Sequence, residues 1–283
     1  MKRFPNKRVV ITGAGSGLGR ALALEFAKLG WKIGIADIND AGAEQTLKLI
    51  EQAGGEGEVF LADVTDHEAI KKMADHFFTR WRGVDVLVNN AGIAVGGAVG
   101  DVPLDQWNTI FAVNFWGMLY GCHEFIPRMK QQGGGHIMNI ASAAGLLCLT
   151  NMGPYNVTKA AVIALCETLR AEVAPCDIGI TAACPMFFNT GLLDEMKSTD
   201  PWISEVAKTA FENGYQADRI AKKLVRAVKK NKLYVVPMIS GKALWLNKRL
   251  TPNLYYNLTA WLNRHGWMKP LYLKLARWGA LSK

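Results

Sequence analysis

No aspartate or glutamate occurs after Asp218, whereas residues 219–283 carry 15 lysines and arginines. The preceding 218 residues hold 18 basic and 24 acidic groups, so the net charge of +9 belongs to the C-terminal segment alone. That asymmetry excludes a chain whose whole surface grips nucleic acid, and no nucleic-acid partner is expected. Also missing is any run of 18 apolar residues, which excludes a membrane span of one continuous stretch. The basic N-terminus is followed only by the short apolar run 9–11, too little for a signal-peptide core. A cytoplasmic protein, or one peripheral on the membrane, is therefore expected. The five cysteines form no CxxC pair and the five histidines no HExxH. Buried reduced thiols and no metal site are the expectation.

What is present is a globular balance: 283 residues, 50% apolar and 20% charged, ample for one large core. Short β-branched segments alternate with helical patterns. The pattern predicts strands at 8–12, 32–36, 58–62, 84–88, 136–140, 178–183 and 233–237. It predicts helices at 19–29, 40–53, 66–82, 106–131, 154–174 and 216–230. Such alternation implies an α/β fold with a parallel sheet, helices on both faces and right-handed crossovers. Two segments stand outside it. Residues 186–215 mix aromatic and polar side chains, as lids and binding loops do. Residues 240–283 are basic and aromatic. The expected organisation is a domain over 1–239 with a helical extension over 240–283.

The first strand runs into Thr12-Gly13-Ala14-Gly15-Ser16-Gly17-Leu18-Gly19. Strand, glycine-rich turn and helix make a phosphate cradle. Glycines let the backbone approach a pyrophosphate, and the helix N-terminus offers unpaired N–H groups. Leu18 breaks a GxGxxG spacing, and no Lys-Ser/Thr pair follows to make a P-loop. Alone, the loop could be a tight turn. Further on come Asn89-Asn90-Ala91-Gly92, Asn114, Ser142 and, 13 residues later, Tyr155-x-x-x-Lys159. In this order the motifs resemble the classical short-chain dehydrogenase/reductase family over about residues 5–237. The resemblance implies a Rossmann-like doubly wound sheet of seven parallel strands in the order 3-2-1-4-5-6-7. It also implies nicotinamide chemistry at the strand C-termini.

Roles follow from the same resemblance. Gly13, Ser16, Gly17, Leu18 and Gly19 would hold the cofactor phosphates. Asp37 closes the second strand, 18 residues after Gly19. It would accept bonds from both adenosine ribose hydroxyls and repel a 2′-phosphate. Ala14, Gly15, Ser16, Ile38 and Asn39 supply no cation, and Arg20 is expected on the helix face, so NAD is the predicted cofactor. Asp63 and Val64 would border the adenine. Asn90, Ala91 and Gly92 would line the adenosine side, and Asn89 would either join them or brace the sheet. Pro185 and Thr190 are further cofactor candidates, Thr190 standing where the family's threonine contacts the carboxamide. Met186 departs from the family's glycine.

Tyr155 and Lys159, at i and i+4, share one helix face. A free phenol titrates near pH ~10 and is a poor base at neutral pH; a neighbouring ammonium and an oxidised nicotinamide favour the phenolate. By resemblance, Tyr155 exchanges a proton with the substrate and Ser142 hydrogen-bonds the substrate oxygen. Lys159 would bind the nicotinamide ribose and lower the Tyr155 pKa, and Asn114 would hold a water leading to solvent. Family members are commonly dimers or tetramers built through helices equivalent to 106–131 and 154–174, so the resemblance implies a homodimer or homotetramer.

Around the reacting carbon the sequence offers Ala143, Ala144, Gly145, Leu146, Met152, Met186, Phe187 and Phe188, with Ile93 and Val95 as further wall. None is charged. The expected substrate is an apolar alcohol or ketone of steroid, retinoid, long-chain or aromatic type. Trp202 and Phe211 would close over it. In the tail, Leu254, Leu258, Trp261 and Leu262 make one apolar stripe, and Met268, Leu271, Tyr272 and Leu275 another. Lys269, Lys274 and Arg277 lie away from the second stripe, with Trp267 and Trp278 at the boundary. Such helices lie on an anionic membrane surface, pack on their own domain or a partner subunit, or meet another partner such as an acidic protein or nucleic acid, and all three readings stand. The function expected is an NAD-dependent oxidoreductase. The alternative is a non-catalytic dinucleotide-binding sensor or scaffold, which would have no use for Tyr155 or Ser142.

Overall fold

The computed structural model describes residues 3–189 and 196–282. Its strands are β1 (Arg8–Thr12), β2 (Lys32–Asp37), β3 (Glu56–Leu61), β4 (Val86–Asn89), β5 (Val95–Gly96), β6 (Gly135–Ile140), β7 (Ile178–Ala183), β8 (Lys197–Ser198) and β9 (Tyr234–Val235). Seven of them form a sheet in the order β3-β2-β1-β4-β6-β7-β9, every pairing parallel. This is the order the resemblance implied. The short strands β5 and β8 pair separately.

The strands alternate their side chains between two apolar layers. Val9 and Ile11 join Leu22 and Phe26 of α1 (Gly17–Ala27) and Ile220 and Leu224 of α9 (Ala217–Lys229). Val10 points the other way, to Phe77 of α3 (His67–Trp81), Phe125 of α5 (Gly117–Gln131) and the face of α7 (Gly153–Glu172). Burial on both faces is why these strands read as continuous apolar runs. Helix starts follow local chemistry. The Asn39 side chain accepts the Gly42 N–H at 3.0 Å ahead of α2 (Asp40–Gln52), and Asp66 accepts the Glu68 N–H at 2.9 Å ahead of α3.

The helix predicted over 106–131 is interrupted. α4 (Leu104–Phe111) gives way to a π-helical turn, Ala112–Trp116, before α5 resumes. Asn114 sits in that turn with its carboxamide bonded to the Ile93 backbone, a long-range contact that sequence periodicity does not register. The segment predicted as a loop over 186–215 contains β8 and α8 (Pro201–Glu212). The tail forms α10 (Ile239–Leu250), α11 (Pro252–Arg264) and α12 (Met268–Arg277). α12 lies against α8, where the Trp202 and Tyr272 rings are 5.9 Å apart and Lys269 pairs with Glu205 at 3.2 Å. No described helix is long and apolar enough to cross a membrane.

Asn89 braces the sheet. Its Nδ2 donates to Asn139 Oδ1 on β6 at 2.8 Å and to the Met118 carbonyl on α5 at 3.2 Å. A Cβ added to Gly121 would stand 2.2 Å from Asn89 Oδ1, so α5 reaches β4 only because residue 121 has no side chain. Gly121→Ala should lower the unfolding free energy by about 1–3 kcal/mol through overpacking. Urea unfolding followed by circular dichroism measures it, and an unchanged midpoint would contradict the close approach.

Candidate active site

β1 and β4 are neighbours whose following helices, α1 and α5, cover opposite faces of the sheet. A crevice must open beyond their C-terminal ends. The cavity there has a volume of about 620 Å³ and runs from Asp37 and Asp63 past the glycine loop to Tyr155. Gly13 and Gly17 take φ values of +64° and +50°, which side chains disfavour. A Cβ on Gly13 would lie 2.8 Å from Ala91 Cα, and one on Gly19 would lie 2.0 Å from the Gly13 carbonyl. Gly13, Ser16, Gly17 and Leu18 line the cavity, whereas Gly19 packs behind the loop. Ser16, the N-cap of α1, makes no side-chain cap bond, and the first turn holds no acid. The opening N–H groups of α1 are therefore free for an anion.

Asp37 ends the cavity on the β2 side. Its Oδ2 accepts the Gly15 N–H at 2.7 Å and its Oδ1 the Asn39 N–H at 2.9 Å. Arg20 does not line the cavity. It reaches across to α2, donating to Thr46 Oγ1 at 3.0 Å, to Gln45 Oε1 at 2.8 Å and to the Gly15 carbonyl. Lys159 is the single Lys or Arg among the described lining residues. Asp63, Val64, Asn90, Ala91, Gly92 and Pro185 all line the cavity; Thr190 lies outside the described residues. Thr12, read in the sequence only as a strand end, ties the crevice together. Its Oγ1 accepts the N–H groups of Asn90 at 3.0 Å and Ala91 at 3.2 Å.

Tyr155, Ser142 and Lys159 meet at the other end. Ser142 caps α6 (Ala143–Leu147); its Oγ accepts the Ala144 N–H at 3.1 Å and donates to the Pro185 carbonyl at 3.3 Å. Lys159 is buried, donates to the Ile140 carbonyl at 2.9 Å and lies 5.7 Å from the centre of the Tyr155 ring. Asn114 stands behind them. Its Oδ1 accepts the Ile93 N–H at 2.9 Å and its Nδ2 donates to the Ile93 carbonyl at 3.0 Å, so the side chain acts as a clamp on the chain after β4. Its carboxamide is thereby bonded to backbone rather than turned toward the cavity.

The substrate end of the cavity is apolar. Ala143, Ala144, Met152, Met186, Phe187, Phe188, Ile93 and Phe211 line it. Leu146 does not: its side chain joins the apolar layer of α7, and Leu147 and Leu149 line the cavity instead. On a five-residue helix one residue is a quarter-turn, which the sequence alone did not fix. Met186 is not among the residues at positive φ, so methionine fits where the family has glycine. Val95 and Trp202 are likewise outside the lining. Away from the cavity, the fold gathers His67, His123 and Glu124 between α3 and α5, with their ligand atoms within 4.8 Å of one another. His67 lies far in the chain from the adjacent pair His123 and Glu124, so the sequence showed no motif.

Burial pushes the Tyr155 phenol up to about 12, opposed by its hydrogen bond with Ser142. Burial pushes the Lys159 ammonium down to about 7, opposed by nearby Cys184. An unfolded chain keeps the Lys159 proton up to its ordinary 10.5, whereas the folded chain releases it above about 7. Stability of the cofactor-free protein must then rise with pH between these values. Relative to Lys159→Met, the wild-type unfolding free energy should gain about 2 kcal/mol from pH ~7 to ~9. Denaturant unfolding of both proteins across that range tests this, and parallel curves would refute the buried-lysine assignment.

The elongated cavity suits a dinucleotide: a carboxylate at one end, free helix N–H groups in the middle and a buried lysine beside a phenol at the other. The short chain dehydrogenase family model matches residues 7–201. The chain is 35% identical over 240 residues to the probable oxidoreductase EphD of Mycobacterium tuberculosis, covering 81% of this chain but 40% of that protein. The chain thus spans less than half the length of that relative. It is 32% identical over 265 residues to the oxidoreductase SadH of the same species, covering 92% of this chain and 96% of SadH. A crystal structure of a short chain dehydrogenase/reductase from Burkholderia phymatum in complex with NAD superposes with a TM-score of 0.85 at 31% identity, covering 90% of this chain and 96% of that one. Fold, motif order and these matches agree, and the chain belongs to the short-chain dehydrogenase/reductase family of NAD(P)-dependent oxidoreductases.

Proposed function

We propose that this protein interconverts a hydroxyl and a carbonyl on an apolar substrate, using NAD(H). The observation that carries the proposal is the one continuous cavity. It joins the Asp37 carboxylate to Tyr155 and Ser142 and continues into walls of methionine, leucine and phenylalanine. When bound, the nicotinamide supplies or accepts the hydride. In reduction, Tyr155 donates its proton to the substrate oxygen while the Ser142 hydroxyl donates a hydrogen bond to the same atom. In oxidation, the phenolate form of Tyr155, favoured by the field of the Lys159 ammonium, takes the hydroxyl proton and becomes the phenol. The Ala144 N–H holds the Ser142 oxygen in place, and the single hydroxyl proton, given to the Pro185 carbonyl in the free protein, turns to the substrate oxygen. Asn114 is a positioning residue: by clamping Ile93 it fixes the segment Ala91–Ile93 beside Lys159. Asp37 accepts from the adenosine ribose and disfavours a 2′-phosphate.

Absorbance at 340 nm, with NAD or NADP and alcohols graded from polar to steroid-like, tests the reading. The expected result is turnover with NAD, preferred over NADP by about tenfold or more in kcat/KM, and rising toward the apolar end. Asp37→Ala should erase most of that preference. Tyr155→Phe should lower kcat by about 10²–10⁴, with little change in the NADH dissociation constant. NADP preference would overturn the Asp37 argument, and turnover of polar alcohols alone the pocket argument. Tight NADH binding without turnover on any alcohol would favour a non-catalytic binder.

A further inference from the structure

The tail resolves its two apolar stripes differently. On α12, Met268 and Ala276 are buried and Tyr272 stacks near Trp202 of α8, so that stripe is covered by the chain itself. On α11, no residue is fully buried. The helix turns Tyr255, Thr259 and Leu262 partly inward. Leu254, Leu258 and Trp261, spaced i, i+4 and i+7, remain 65%, 52% and 47% exposed. Trp267, also exposed, extends the patch, its ring 5.5 Å from that of Trp261. Contiguous aliphatic and indole surface of this kind marks an interaction site.

We propose that this face of α11, with Trp267, docks on an anionic lipid surface. Charge selects the occupant. Residues 219–283 contain no acidic side chain, and Arg264 belongs to the same helix. Lys274 lies over the Trp278 ring at 4.6 Å. Among the described residues of the tail, Lys269 alone forms a salt bridge, to Glu205. A second copy brought face to face would set cations against cations with no tail carboxylate to pair them. A nucleic acid would take up the charge but leave Leu254 and Leu258 in water. A bilayer interface accommodates both parts: apolar side chains enter the acyl boundary, aromatic rings lie at its edge, and cations stay level with the phosphates.

The test uses the full chain and no activity readout, so it stands apart from the proposed reaction. Protein is sedimented with phosphatidylcholine vesicles and with vesicles containing about 30% phosphatidylserine, at about 0.1 M salt, with size-exclusion chromatography in parallel. Expected is a partition coefficient about tenfold or more higher on the phosphatidylserine vesicles, falling as salt is raised. The double variant Leu258→Ser/Trp261→Ser should lose about tenfold of that binding, with an unchanged thermal midpoint because both side chains are exposed. Equal partitioning on the two vesicle types, or undiminished binding by the variant, would overturn the proposal. So would a wild type that ignores vesicles, and a variant that alters oligomeric state would then assign the face to a second copy.

Discussion

Three backbone segments converge where β1 ends, α1 begins and the chain leaves β4, and the meeting point has no room for an added carbon. Gly13, Gly19 and Ala91 touch there without larger side chains between them. That contact sets the angle at which α1 enters, and with it the direction of its first N–H groups. It also brings the Gly15 amide onto Asp37 and the Thr12 hydroxyl onto Asn90 and Ala91. The crevice at the sheet's switch point is therefore held open by hydrogen bonds that its lining residues Asp37, Asn90 and Ala91 make to Gly15 and Thr12 behind them.

A second constraint acts at the other end of the cavity. Lys159 is buried with a single backbone carbonyl for its three donors, and Tyr155 packs against the apolar cluster of Val95, Val102 and Ile110. Both are driven toward their neutral forms. Such a site carries little charge of its own, so an incoming ligand's charge has a large effect on how the pair ionises.

The sheet order and the motif residues were legible because each depends on spacing along the chain. Apolar strand runs, the glycine loop and the Tyr155–Lys159 pair announce themselves within a few residues. What was not legible depends on contacts between distant residues. Asn114 needs Ile93 to explain its π-helical turn, and Asn89 needs Asn139 and Gly121 to explain its bracing role. Leu147 rather than Leu146 reaches the cavity because α6 is rotated by its packing on α7, where a Cβ on Gly145 would lie 2.5 Å from the Lys159 backbone. The two tail stripes were equivalent by pattern, and only the placement of α8 covers one and leaves the other bare.

The tail also buttresses the catalytic end. Lys248 donates to the Leu146 carbonyl at 2.5 Å and Tyr255 to the Leu147 carbonyl at 3.4 Å, gripping the helix that Ser142 caps. Met186, which lines the cavity, rests on α10 at Gly241, where a Cβ would come within 2.5 Å of its sulfur. Selection on the extension is thus coupled to selection on the pocket. On the proposed function, exchanging the C-terminal helices at a junction near residue 239 should shift the substrate range while leaving the cofactor end of the cavity unchanged.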